Sequence, residues 1–366
     1  MNIPFVDFTP SNQEFREKAL QAFEHVFDRG WYILGEQVQQ FEQEYAQYHQ
    51  VKHCIGVANG LDALHIALRI NDIGKGDEVI VPSNTYIATV LASSFVGAKP
   101  IFVEPNLNTY NISPENIEKA ITPNTKAIIP VHLYGQACEM DAIMQIAQKY
   151  NLYVVEDNAQ AQGAMYNGVK TGAFGHVNAT SFYPSKNLGA LGDAGAITTN
   201  DDTFAYKCRV MRNYGSQKRY YNEVIGINSR LDEVQAALLR IKLEYLDKWN
   251  AERNDIAQIY LKELQNVGDI ILPITANKAT HIYHLFVVRT QYRDTLQEHL
   301  YKNGIQTVIH YPVPPHLQEC YQHLGYQKGD FPVAEEIADT CISLPIFAGM
   351  RENQIQYVCD TVKKFF

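Results

Sequence analysis

The chain has 366 residues, 46% of them hydrophobic and 19% charged, with a formal net charge of −9. That composition belongs to a globular protein long enough for two domains, and it excludes a disordered or collagen-like chain. The acidic balance and the lack of any Lys/Arg-rich block argue against a nucleic-acid partner.

The first residues, MNIPFVDFTPSNQEF, show no basic region followed by an apolar run, so no secretory signal is read there. No stretch approaches the roughly 20 apolar residues of a membrane span. The expected compartment is the cytoplasm. From about residue 52 to 200, short runs rich in Val and Ile alternate with helical patterns. VKHCIGV, EVIVP, PIFVEP, KAIIPVHLY, LYVVED and AITT read as strands buried on both faces of a sheet. Between them, Leu61, Leu64 and Leu68 share one helical face. Ser113-Pro114-Glu115 starts a helix with a capping serine and proline at its first position. Met140 to Tyr150 forms another. Strand–helix alternation predicts an α/β domain with a mainly parallel sheet. From Leu231 to about Leu264 apolar residues recur at helical spacing, predicting one long helix. HIYHLFVV, a helix near Arg293–Lys302, IQTVIHY and CISLPIF then predict a smaller α+β domain. The expected division is 1–245 and 246–366. The six cysteines never stand at CxxC spacing and the histidines lack ligand spacing, so neither disulfides nor a metal are expected.

Four segments carry chemistry. In SFYPSKNLGALGDAGA, Lys186 sits among Gly189, Gly192 and Gly195, which allow close backbone approach to a ring or phosphate. A lysine nucleophile needs a site that lowers its pKa. The other reading is a flexible surface loop. In LYVVEDNAQAQGA, Asp157 ends a buried strand, the edge where ligands bind in open α/β sheets. It either pairs with a protonated ring nitrogen or caps a helix; Gln160 follows it by three residues. In GVANGLDALHIAL a strand turns at Asn59-Gly60 into a helix whose first N–H groups suit an anion, although most such turns bind nothing. Tyr86 follows a strand end at the same edge, where it either stacks on a planar ligand or simply packs.

In this order, the segments resemble the DegT/DnrJ/EryC1/StrS aminotransferases, fold type I enzymes that use pyridoxal phosphate on sugar nucleotides. The likeness runs over nearly the whole chain, through GWYILGEQVQQFEQEYAQY, ANGLDALHIAL, VHLYGQACEMDAI, VVEDNAQAQGA, SFYPSKNLGALGDAGA, RNYGSQ, GINSRLDEVQAALL, HYPVPPHLQ and SLPIFAGM. It implies a seven-stranded sheet and a small C-terminal domain. It implies that Lys186 holds the cofactor covalently and shuttles a proton, that Asp157 pairs with the ring nitrogen, and that Gln160 approaches the ring hydroxyl. Ser181 and Gly60-Leu61-Asp62 would hold the phosphate, Tyr86 would stack on the ring, and Asn228 would reach the phosphate of a neighbouring subunit in a homodimer. Lys218 and Arg219 are candidates for the substrate diphosphate, and Tyr32, Tyr183, His310, Tyr311 and His316 for the sugar pocket.

The resemblance further implies transfer of an amino group from L-glutamate to a nucleotide-linked keto sugar. Tyr183 and Ser229 stand where 4-aminotransferases usually show His and an aromatic. This favours C3 of a dTDP-linked 6-deoxy-3-ketohexose, destined for a surface polysaccharide. The alternatives are a 4-aminotransferase, a cyclitol aminotransferase, or a pyridoxal-phosphate-binding regulator without turnover. Lys186 argues against the family's dehydratases, which carry His there. Asn158 and Gln162 depart from the small residue and His more usual in relatives, and Ser185 from the usual Gly.

Overall fold

The six apolar runs, with a seventh strand at Val177–Ser181 that its sequence VNATS did not announce, become one seven-stranded sheet in the computed structural model, which describes residues 1–366. Across the sheet the strands stand in the order His53–Val57, Gly195–Thr199, Val177–Ser181, Tyr153–Asp157, Thr125–Ile128, Glu78–Pro82 and Lys99–Val103. All neighbours are parallel except Gly195–Thr199, which runs antiparallel to both of its neighbours. Most of the runs are apolar because both faces are covered, with polar side chains concentrated in Val177–Ser181. Val79, Val81, Ala127 and Val155 pack in one core with Leu64, Ala67 and Leu68 of the helix Gly60–Arg69. Ile80, Ile128 and Val154 point the other way, into a core with Ile117, Ile143 and Ala147.

This topology decides where chemistry can occur. The C-terminal ends of the parallel strands lie on one edge, which brings the segments after Val57, Pro82, Asp157 and Ser181 together. Gly195 enters the sheet at that same edge, opposite Ser181 and Val57. The loop carrying Lys186 joins Ser181 to Gly195 and therefore closes over the strand ends.

The C-terminal part has a two-stranded antiparallel sheet, Phe286–Arg289 with Cys341–Leu344. The helices Leu246–Glu263, Arg293–Lys302 and Glu352–Lys363 surround it. Its core includes Tyr260, Phe286, Leu300, Leu344 and Val358. Ile3 is fully buried in this core and bridges Ile305, so the first residues pack with the last third of the chain. IQTVIHY contributes only isolated bridges, Ile305 to Ile3 and Val308 to Ser343.

The single long helix expected over 231–264 is two helices, Glu233–Leu243 and Leu246–Glu263. The last turn of the first tightens, with Glu244 and Tyr245 N–H groups donating to Ile241 and Lys242 carbonyls three residues back. The break lets Tyr245 stack on Trp249 at 5.5 Å between ring centres, with Phe15 of the helix Thr9–Arg29 packed against both. No helix is long and apolar enough to cross a membrane.

Candidate active site

A cavity of about 560 Å³ opens at the strand ends. Gly60, Leu61, Tyr86, Asp157, Gln160, Ser181, Tyr183, Lys186, His310 and Tyr311 all line it. They come from the segments that follow Val57, Pro82, Asp157 and Ser181, which the parallel sheet brings to one edge, and from His310-Tyr311 of the C-terminal part.

Asp157 is buried. Its Oδ1 accepts from the Ala159 N–H at 3.1 Å and its Oδ2 from the Thr89 hydroxyl at 2.8 Å. It forms no salt bridge within the chain. Burial pushes its pKa up, against the two hydrogen bonds and the charge of Lys186, which favour the carboxylate. Burial lowers the Lys186 pKa to about 8, and the Asp157 charge acts in the opposite direction. A buried carboxylate and a softened amine thus share one cavity without being paired.

The anion end is built by close approach. Asn59 caps the helix Gly60–Arg69 by accepting from the Asp62 N–H at 2.8 Å. That leaves the Gly60 and Leu61 N–H groups at the open end of the helix; Asp62, expected to hold phosphate, does not line the cavity and uses its N–H in the cap. A Cβ at Gly60 would stand 2.6 Å from that of Ser181, and one at Gly195 would stand 2.5 Å from the Asn59 carbonyl. Only glycine lets these three segments meet.

Gln160 is held from two sides. Its Oε1 accepts from the Tyr134 N–H at 2.6 Å and its Nε2 donates to the Tyr311 hydroxyl at 3.0 Å. Tyr86 and Tyr311 lie 5.3 Å apart between ring centres. Burial lowers the His310 pKa to about 4, with Lys186 adding to the effect, so this imidazole is neutral.

Gln162, one of the departures from the family pattern, donates its Nε2 to the Ser181 carbonyl at 2.8 Å and so braces the strand end. Asn158, the other, donates to the Thr171 carbonyl at 3.3 Å.

Other expected residues stand outside the cavity. His316 does not line it: it is buried, bonded to Glu335 at 3.0 Å and packed on Phe102 and Phe331. Tyr32 is exposed beside Ile33, which bridges Asp232. Lys218 and Arg219 lie in an exposed loop, over the rings of Tyr221 and Tyr220. Asn228 is exposed, while its neighbour Ser229 is buried with its hydroxyl accepting from the Ala58 N–H at 3.0 Å. Thr85, Thr89 and His284 line the cavity but were not anticipated. The only trace of the threonines in the sequence is their four-residue spacing across the first turn after a strand end.

Residues 13–363 match the DegT/DnrJ/EryC1/StrS aminotransferase family. The chain is 52% identical over 363 residues to a dTDP-3-amino-3,6-dideoxy-alpha-D-galactopyranose transaminase of Aneurinibacillus thermoaerophilus, covering 99% of each. It is 47% identical to a dTDP-3-amino-3,4,6-trideoxy-alpha-D-glucose transaminase of Streptomyces venezuelae, covering 99% of this chain and 96% of that one. Its fold superposes with a TM-score of 0.98 on the crystal structure of S. venezuelae DesV in complex with a ketimine intermediate, at 46% identity, covering 100% of this chain and 98% of the other. The mainly parallel sheet, the cavity at its edge and the likeness along the whole chain lead to one conclusion: this protein is an enzyme of the DegT/DnrJ/EryC1/StrS aminotransferase family.

Proposed function

We propose that the enzyme moves an amino group from L-glutamate to C3 of a dTDP-linked 6-deoxy-3-ketohexose. The observation that carries the reading is the half-buried Lys186 and the buried Asp157 in one cavity of a chain that matches dTDP-3-amino-sugar transaminases from end to end.

The family's cofactor is pyridoxal phosphate, and the residues fit it. Asp157 is a buried carboxylate without a cation of its own, suited to a protonated ring nitrogen. The N–H groups of Gly60 and Leu61, with Ser181 at close range, suit a phosphate. Tyr86 flanks the intervening space, and Gln160 offers a polar group beside Tyr311. When bound, the cofactor supplies a carbonyl for amine exchange and a ring that withdraws electrons.

The protein's part is to bind, orient and move protons. Lys186, with a pKa of about 8, is partly neutral near pH 7 and can attack a carbonyl or accept a proton from the substrate carbon. The protonated Lys186 amine would then deliver that proton to the carbon on the other side of the transferred nitrogen. Asp157, held by Thr89 and the Ala159 N–H, would hold its charge toward the ring nitrogen. His310 and Tyr311 also line the cavity, where a neutral imidazole and a phenol can meet sugar hydroxyls without adding charge. Tyr183 stands at the mouth, in position to bias which ring carbon is presented.

Lys218 and Arg219 are assigned to the diphosphate, Tyr32 to the sugar pocket and Asn228 to the phosphate of a second subunit. All four lie outside the cavity of their own chain, as residues serving a partner's site would. Residues 1–245 and 246–366 are taken as the two domains, with Ile3 tying the N-terminus to the second. A panel of nucleotide-linked 3-keto and 4-keto sugars with L-glutamate, read by mass spectrometry, tests the reading. Transfer to a 3-keto dTDP sugar is expected; faster amination of a 4-keto isomer would overturn the regiochemistry.

A further inference from the structure

Behind the cofactor loop lies a buried cation that the reaction scheme does not use. Lys242, in the helix Glu233–Leu243, is buried, and its Nζ donates to the carbonyl oxygen of Gly189. No carboxylate pairs with it. Its other neighbours are the rings of Phe15 and Trp249, 5.7 and 6.0 Å from Nζ. Burial lowers its pKa to about 8. An apolar side chain of the same length would fill this space without the desolvation cost of an ammonium group. What a lysine adds is the bond to Gly189.

That bond falls on the loop carrying Lys186. The loop is a closed ring: Phe182 N–H donates to Ala194 O at 2.8 Å, Ala190 N–H to Phe182 O at 2.7 Å, and Lys186 N–H to Tyr183 O at 2.8 Å. Leu191 N–H is tied to Gln235 Oε1 at 2.9 Å. Gly189 is wedged against the residues that precede Lys186. A Cβ there would stand 2.7 Å from the carbonyl carbon of Pro184 and 2.9 Å from the Tyr183 oxygen. Any shift of Gly189 therefore passes directly to Pro184-Ser185-Lys186. A space of about 30 Å³ lies between Lys242 and this stretch, lined also by Asn187, Asp7 and Arg253. Arg253 is likewise buried, and it donates to the carbonyl of His284 at 3.3 Å and of Ile346 at 2.9 Å.

We propose that Lys242 is a positioning residue for Lys186: by holding the Gly189 carbonyl it keeps the loop closed and the half-buried Lys186 amine in place in the cavity. The inference rests on the reading that Lys186 is the cofactor lysine. Asp157, His284 and His310 share the Lys186 cavity, while Lys242 and Arg253 lie behind the loop. A loosened loop would admit water to Lys186 and move its pKa back toward the ordinary lysine range.

The test reads Lys186 without reading turnover. Apoenzyme is mixed with pyridoxal phosphate over a range of pH, trapped with borohydride and mapped by peptide mass spectrometry. Wild-type protein is expected to label Lys186 with a midpoint near its lowered pKa. Lys242→Met, in protein whose circular dichroism shows it folded, is expected to raise that midpoint by about half a pH unit or more, slowing capture roughly threefold below the midpoint. Lys242→Arg, which keeps the donor, is expected to restore the wild-type midpoint. A folded Lys242→Met protein with an unchanged midpoint overturns the proposal. Wild-type labelling at another lysine would overturn the Lys186 reading instead. Hydrogen exchange in wild-type apoenzyme provides a second readout if Lys242→Met does not fold. Amides 187–191 are expected to exchange as slowly as those of the strand Val177–Ser181, and exchange as fast as in the loop 218–225 would equally overturn the proposal.

Discussion

The Thr89 hydroxyl donates to Asp157 Oδ2 at 2.8 Å, and because that hydrogen is committed, Thr85 must donate in turn to Thr89 at 2.9 Å. The two hydroxyls form a directed chain ending on the carboxylate. Burial alone would favour the protonated acid, and this chain opposes it. Thr89→Val keeps the shape and removes the donor. A hydrogen bond to a charged group is worth about 1.5–3 kcal/mol, so kcat is expected to fall roughly tenfold or more. Asp157→Asn removes the charge itself and is expected to lower turnover at least on the order of a hundredfold, about 2.7 kcal/mol. Steady-state kinetics on both variants decides it: a Thr89→Val enzyme with wild-type kcat would show that the hydroxyl chain does not matter to Asp157.

The lowered pKa of Lys186 makes cofactor capture depend on pH. With a value of about 8, roughly a tenth of the amine is neutral at pH 7 and roughly nine tenths at pH 9. Stopped-flow absorbance of apoenzyme with pyridoxal phosphate is expected to show capture rising about tenfold over that range and then levelling. Stability follows the same linkage. The folded pKa lies below the unfolded value, so the unfolded chain binds more protons between about pH 8 and 10.5. Over that window Lys186 contributes a rise in apoenzyme stability with pH, and below it the half-buried ammonium is a constant cost. Capture that is flat from pH 7 to 9 would mean that Lys186 is solvated.

Glu156, next to Asp157 on the same strand, organises the sheet beneath the site. Its Oε1 accepts from the N–H groups of Phe174 and Gly175 at 2.6 and 2.8 Å. Its Oε2 accepts from His132 Nε2 and the Gly172 N–H, both at 2.8 Å. His132 Nδ1 accepts from the Cys138 N–H at 3.0 Å, so the ring proton must lie on Nε2. Every donor faces a carboxylate oxygen. Glu156→Gln turns an NH2 group toward two of these donors and is expected to destabilise the protein by about 2–4 kcal/mol. Urea unfolding measures this, and an unchanged midpoint would show that the buried cluster relaxes around the amide.

What was legible in the sequence follows from the physics of each residue. Strands buried on both faces leave continuous apolar runs, so six of the seven strands could be read; Val177–Ser181 was missed because its sequence, VNATS, buries the polar Asn178 and Thr180 and leaves no apolar run. Lys186, Asp157 and the Asn59-Gly60 turn were marked by local chemistry at strand ends. Thr89 was not, because its role is a bond to a residue 68 positions away and a threonine in a helix carries no signal of that. His316 lies in a block shared with relatives, and a histidine bonded to a buried glutamate leaves the same trace in a sequence as one that meets a ligand. The break at Glu244–Tyr245 was hidden because the apolar spacing continues across it; the stacking of Tyr245 on Trp249 that it permits is a tertiary event.

The placement of Asn228 leads to a prediction about assembly. The residue is exposed and lies outside its own cavity, although Ser229 beside it is pinned to Ala58. The surface carries large apolar groups that a monomer gains nothing by exposing: Phe23 and Phe27 stacked on the first helix, then Trp31, and Tyr220 and Ile225 in the loop before Asn228. A homodimer that covers them and lends Asn228 to the partner's phosphate site accounts for both observations. Phe27→Glu together with Trp31→Glu is expected to give a monomer by light scattering, with activity lost. Complementation tests the sharing itself. Lys186→Ala and Asn228→Ala proteins are each expected to be impaired. After complete one-to-one exchange, half of the dimers are mixed, and each mixed dimer holds one site with both native residues. Roughly a quarter of wild-type activity should return. If mixed dimers are confirmed by native mass spectrometry and no activity returns, Asn228 serves its own chain and the shared site is wrong.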